Sequence, residues 1–170
     1  MKFKKLEITG FKSFFEKTHF YIENGLTGIV GPNGCGKSNI VESLRWAMGE
    51  TSAKSMRGLG MEDVIFNGTS NKASKNIAEV SITVDNASHE GPMRYKDLDQ
   101  IEVRRKIEKD KGSKFYINNK EVRARDAQMF FADLSTGAHS PSMISQGRIG
   151  ALVTAKPTDR RSILEEAANI

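Results

Sequence analysis

In KKLEITGF, Leu6 and Ile8 alternate with polar neighbours, and after the turn-like KSFFE a second short stretch, KTHFYI, continues the pattern. The two predict an opening antiparallel pair of strands. A short apolar run, LTGIV (26–30), then enters Gly31 and predicts a buried strand. From Lys37 the spacing changes: Ile40, Val41, Leu44, Ala47 and Met48 recur at helical period, so strand, loop and amphipathic helix follow one another. After a Gly- and Ser-containing stretch (49–60), MEDVIFNG fits a strand or a loop equally well. AEVSITV alternates with Val80, Ile82 and Val84 on one face, IEVRRKIE repeats the pattern with Ile101, Val103 and Ile107, and KFYINNKEV predicts a hairpin turning at Asn118-Asn119. The middle third is therefore expected to be an antiparallel meander. From about Arg125 the helical period returns through Ala127, Phe130, Phe131 and Leu134, with Gly137 at a C-cap position, and GAHSPSMISQG reads as a loop. Pro157 opens a last helical stripe, Ile163, Leu164, Ala167 and Ile170, which reaches the final residue without a capping signal and reads as truncated.

Composition narrows the class. The 170 residues suit one compact domain, and a net charge of +5 with a pI near 9.3 favours a polyanionic partner such as nucleic acid, although charges of both signs are interspersed. Cys35 is the only cysteine, so an intrachain disulfide is impossible and a reducing compartment, the cytoplasm, is expected. The N-terminus has no apolar signal region, and no apolar run reaches the 18 or so residues of a membrane span, so a soluble protein without a membrane partner is expected.

The chemistry concentrates in GPNGCGKS, residues 31–38, which fits G-x-x-x-x-G-K-[ST] in full. A chance match in a chain of this length is expected at roughly the 1% level or less. Gly31, Gly34 and Gly36 let successive backbone N–H groups turn inward as an anion nest, with Pro32, Asn33 and Cys35 completing the loop. The helix beginning near Lys37 adds its positive end. Lys37 is expected to reach the β- and γ-phosphates of ATP, Ser38 to ligate Mg²⁺, and Asn33 and Asn39 to add polar contacts. Cys35 reads as a small side chain filling a motif position.

Hydrolysis also needs an acidic residue at the end of an apolar strand. The one run of that kind is MFFAD, ending at Asp133, but its apolar positions extend at helical spacing back to Ala127, so Asp133 is expected on a helix surface. His19, His89 and His139 lack any zinc-site spacing. EVRRKIEKDKGSK fits a DNA-facing basic ribbon or, more simply, the solvated outer face of a hairpin.

ITGFKSF (8–14), GPNGCGKSN (31–39), MRGLGMEDVIFNG (56–68), ISQGRI (144–149) and RRSILEEAA (160–168) together resemble the N-terminal head segment of bacterial SMC proteins, chromosome-condensing ATPases of the ABC superfamily. The resemblance runs over nearly the whole chain in motif order. It implies an α/β fold, the N-terminal lobe of a P-loop NTPase head of ABC type with an antiparallel β subdomain (1–156), followed by the root of a coiled-coil helix (157–170). It also implies that the metal-holding acid lies in a separate C-terminal lobe. Further implied are Gln146 as a ligand of Mg²⁺ and of the attacking water, Arg57 near the γ-phosphate, Lys12, Ser13 and Phe14 beside the nucleotide, and Asp63 to Asn67 near base and ribose. One departure is Asn169, where the family usually has glycine at the start of the arm.

The partners so implied are double-stranded DNA, a second head in a homodimer, the protein's own C-terminal lobe and a kleisin-type subunit, on the nucleoid. Rival readings are a related DNA-repair ATPase, a DNA-binding module with a vestigial phosphate loop, and a compact P-loop kinase.

Overall fold

In this computed structural model, which describes residues 1–52, 60–89, 91–133, 155–158, 161 and 165, six strands form one antiparallel sheet in the order β2-β1-β3-β4-β5-β6. They are β1 (Lys2–Thr9), β2 (Thr18–Tyr21), β3 (Ile77–Asp85), β4 (Gln100–Glu108), β5 (Gly112–Ile117) and β6 (Lys120–Val122). Helices α1 (Lys37–Ala47) and α2 (Ala124–Asp133) pack on the sheet, α1 against β3 and β4 and α2 against β5.

The pleat explains the core. Leu6, Ile82, Val103 and Ile117 pair in register across four strands, and all are buried. Because side chains two apart share a face, the row Ile8, Val80, Arg105 and Phe115 points to the same side. Against these rows α1 presents Ile40, Leu44, Trp46 and Ala47, and α2 presents Ala127, Phe130 and Phe131. The expected meander and hairpin are present: Asn118 and Asn119 take φ of 46° and 65°, the left-handed pair that a two-residue hairpin turn requires.

The expected strand at 26–30 is not formed. Leu26 is fully exposed and Val30 is 91% exposed, and no described strand pairs with this segment. An apolar run becomes a buried strand only where neighbours cover it, and the six strands of this sheet bond to one another instead. MEDVIFNG resolves as a 3-10 turn, Met61–Val64, followed by Ile65 in a bridge to Phe11. MFFAD is helical to its end in α2, which removes the strand that a kinase reading needs. Pro157, Thr158, Arg161 and Glu165 are helical, and Arg161 Nε donates to Glu165 Oε1 at 2.7 Å one turn on.

Candidate nucleotide-binding site

The phosphate loop closes on glycines in the left-handed region, one of them also in close contact. Gly34 and Gly36 have φ of 82° and 92°, and a Cβ on Gly36 would stand 2.8 Å from Ser13 Oγ. Gly36 is the N-cap of α1 and offers no side-chain cap, and the first turn of α1 carries no acidic residue. The helix therefore presents amides and its positive end to the loop, a site suited to phosphate.

Lys37 folds back over that loop. Its Nζ donates to the carbonyls of Gly31 at 2.7 Å and Pro32 at 2.6 Å, so its third proton is left for an anion in the nest. Ser38 follows, half-buried in the first turn of α1, while Pro32, Asn33, Gly34 and Cys35 form the exposed rim. The glycine cradle and the lysine fit a polyphosphate. The Ser38 hydroxyl fits one ligand of a divalent cation, and among the described residues no cluster of acidic, His or Cys side chains supplies the rest.

The strand-end segment sits on this loop. Lys12 has φ 47°, its amide donates to Val64 O at 2.7 Å, and its Nζ forms an ion pair with Glu42 of α1. Ser13 Oγ accepts from Asn39 Nδ2 at 2.9 Å. Phe14 is drawn back by the hydrogen bond its backbone N–H donates to Phe11 O at 2.8 Å, and packs edge-on against Phe20. Ser13 thus stands beside Gly36 and Asn39, and Lys12 against Glu42 of the same helix. In the segment 63–67, the Asp63 carboxylate accepts from the Gly60 amide at 2.8 Å and closes its own turn, while Val64, Ile65 and Phe66 are buried. Arg57, Gln146, His139 and Asn169 lie outside the described residues.

Elsewhere the charged groups are structural. On the outer face of the sheet Glu7 accepts from Lys17 at 2.8 Å and Lys5 at 2.9 Å, with His19 at 3.0 Å. Burial pushes the Glu7 carboxyl up, but hydrogen bonds from Lys17 and Lys5 outweigh it and hold it at about 2, below the usual 4.5. The basic ribbon is largely matched by carboxylates: Arg104 meets Glu79 at 3.8 Å, Lys111 meets Glu108 at 2.7 Å and Lys114 meets Glu121 at 3.1 Å. That pairing favours the solvated-face reading for the outward positions. Arg105 contradicts it, because this residue points inward and is 4% exposed.

Three buried residues around α1, Glu42, Trp46 and Arg105, were not singled out by sequence reasoning. Signals for two of them exist. Glu42 lies four residues after Ser38, on the same side of the helix, and Arg105 shares the alternation of Ile101, Val103 and Ile107.

A glycine-lined phosphate loop feeding an unblocked helix N-terminus, beside an antiparallel sheet, defines a P-loop nucleotide-binding lobe. The chain belongs to the RecF/RecN/SMC N-terminal domain family, whose model matches residues 2–148. It is 55% identical over 170 residues to the chromosome partition protein Smc of Cereibacter sphaeroides, a match that covers all of this chain and 15% of the relative's length. A solved chain from a study of ATP-driven dimerization and DNA-stimulated activation of SMC ATPases superposes with a TM-score of 0.85 at 28% identity, over 98% of this chain and 99% of that one. The Smc head domain of Pyrococcus furiosus, with an extended coiled coil and bound to the C-terminal domain of ScpA, also gives a TM-score of 0.85, at 30% identity over 97% of this chain and 41% of its own. The fold is thus the N-terminal lobe of an SMC head, of ABC type, with an antiparallel β subdomain. The chain spans about a seventh of the length of the Cereibacter relative.

Proposed function

We propose that this chain is the ATP-binding half of the head of a chromosome-partition ATPase, with residues 1–156 as the lobe and 157–170 as the start of a coiled-coil arm. The observation that carries the reading is the intact phosphate loop, with Gly34 and Gly36 left-handed and Lys37 folded across it, in a chain whose 170 residues all align with part of an Smc protein. A vestigial loop would have no reason to keep that geometry.

The loop amides and Lys37 hold the β- and γ-phosphates, and the positive end of α1 offsets their charge. Ser13 and Asn39, already joined at 2.9 Å, border the phosphates on one side. Ser38 and Gln146 would hold Mg²⁺, which would supply charge neutralisation to the phosphates. Gln146 also orients water through its amide, and Arg57 stabilises charge near the γ-phosphate. The carboxylates that complete the site belong to a C-terminal lobe, and the exposed apolar run at Leu26 and Val30 supports this, since it is an uncovered apolar segment beside the phosphate loop. Two such heads sandwich ATP between them, and engagement and hydrolysis move DNA on the nucleoid. A ScpA-type kleisin partner is favoured by the Pyrococcus furiosus neighbour, which binds ScpA.

The test is ATPase activity of a head assembled from both lobes, with and without Lys37→Ala. Turnover that requires Lys37 supports the reading, whereas DNA binding indifferent to ATP, with no turnover, points to the vestigial module.

A further inference from the structure

The ribbon splits at the pleat. Arg104 and Lys106 face outward, and Arg105 between them lies in the core row with Ile8, Val80 and Phe115. Its Nη1 donates to the carbonyls of Trp46 at 2.8 Å and Glu50 at 2.6 Å, and its Nε donates to Ser113 Oγ at 2.9 Å. The guanidinium lies over the rings of Trp46 and Phe115, 4.5 and 4.6 Å from their centroids. Trp46 O is among the last carbonyls of α1, the helix whose first residues are Lys37 and Ser38. A cation here satisfies helix-end acceptors and complements the negative end of the dipole.

Fold stability alone does not call for arginine at this place. A buried charge bears a large desolvation cost, and an apolar side chain of similar volume is often as stabilising. What the guanidinium adds is direction: Nη1 ties the last turn of α1 at Trp46 O and the segment just after it at Glu50 O, while Nε holds Ser113 of β5. We propose that Arg105 is a positioning residue for nucleotide binding and hydrolysis, clamping the C-terminal end of α1 onto β4 and β5 and thereby setting where Lys37 and Ser38 stand at the other end. The proposal rests on the ATPase reading of the phosphate loop. Mid-helix, the Glu42–Lys12 pair is a second anchor, so loss of the clamp loosens the C-terminal end of α1 about that point, restrained then by core packing and by the Gln128 bond to Gly49 O. From Glu42 to Lys37 the helix makes an arm of roughly 7.5 Å, so a tilt of about 8° displaces that end by about 1 Å. A displacement of that size costs on the order of a hundredfold in rate.

The experiment compares the intact protein with Arg105→Met and Arg105→Lys, reading kcat, KM, the Kd for ATP and the melting temperature. Arg105→Met, which keeps a flexible apolar stem between Trp46 and Phe115, is expected to fold, while its kcat/KM falls on the order of tenfold or more and its Kd rises. Arg105→Lys, with the charge but not the guanidinium, is expected between the two. Unchanged kcat/KM and Kd in Arg105→Met overturn the proposal, whatever the melting temperature does. If Arg105→Met does not fold, wild-type kinetics in Arg105→Lys overturn it instead. A wild type that binds ATP without hydrolysing it overturns the ATPase reading, and the Kd comparison then decides the role of Arg105. A wild type that does neither overturns both.

Discussion

Lys12 and Glu42 form an ion pair in which the two side chains are 14% and 9% exposed, and it joins the segment after β1 to the middle of the phosphate-loop helix. Breaking a pair so withdrawn from water takes the nearest opposite charge from the group that remains, which costs up to about 3 kcal/mol. Glu42→Gln is therefore expected to destabilise the head by about that much and to loosen Ser13 from Asn39, weakening ATP binding as well. Glu42→Gln combined with Lys12→Met should recover part of the stability, since neither charge is then stranded. Additive losses in the double variant, measured by urea denaturation of a head with both lobes, would show that the two do not act as a pair.

Lys37→Ala should weaken ATP binding far more than Arg57→Ala. The first removes a cation held over the loop by Gly31 and Pro32, a charge-assisted contact of about 1.5–3 kcal/mol, or roughly 10–100-fold in Kd. Equal losses for the two in a nucleotide titration of the intact protein would count against these roles.

Cys35 offers a chemical probe of the same loop. It is exposed, and its Sγ lies so close to Gly31 that a Cβ there would stand 2.9 Å away. ATP with Mg²⁺ should slow alkylation of Cys35 by covering the rim. An alkylation rate indifferent to saturating nucleotide would place the ligand elsewhere.

Acid should act through Glu7. Its carboxyl is held at about 2 against a reference of 4.5, so its contribution to stability is complete above about pH 4.5 and is lost as the pH falls through about 2. The shift corresponds to at most about 3 kcal/mol, and less in practice because Lys17 is well exposed. Glu7→Gln should flatten the pH dependence of denaturation between pH 4.5 and 2. An unchanged slope would mean that the carboxylate gains nothing from its lysines.

What the sequence made legible was whatever depends on near neighbours. The alternation of β3 and β4, the Asn118-Asn119 turn, the stripe of α1 and the phosphate loop are all local, and each is found where the pattern puts it. Ile65 bridges Phe11 across 54 positions of sequence, so no local pattern could assign MEDVIFNG. The burial of Arg105 and Glu42 was hidden for a related reason: a charge reads as surface until the register and the helix contacts that satisfy it are known. The run at 26–30 failed in the opposite direction, its apolar character being real but no strand of this sheet pairing with it.

That exposed apolar segment carries the last prediction. Residues 1–170 alone are expected to bind ATP weakly and not to hydrolyse it at a measurable rate, and a C-terminal lobe of the same protein should restore turnover. Phosphoryl transfer is catalysed by positioning and electrostatics, so each missing part removes a large factor. Among the described residues the chain supplies the glycine nest, Lys37 and Ser38, but no acidic cluster for a metal, and Asp133 ends a helix. Leu26 and Val30 lie bare beside the loop, so the isolated chain should also be prone to self-association, and the second lobe should suppress it. Leu26→Asp is expected to improve the solubility of the isolated chain while weakening its assembly with that lobe. Restored activity should rise more than linearly with protein concentration, because two heads must meet, and should vanish with Lys37→Ala. Robust turnover by residues 1–170 alone would refute this account and require an acidic metal ligand within the chain.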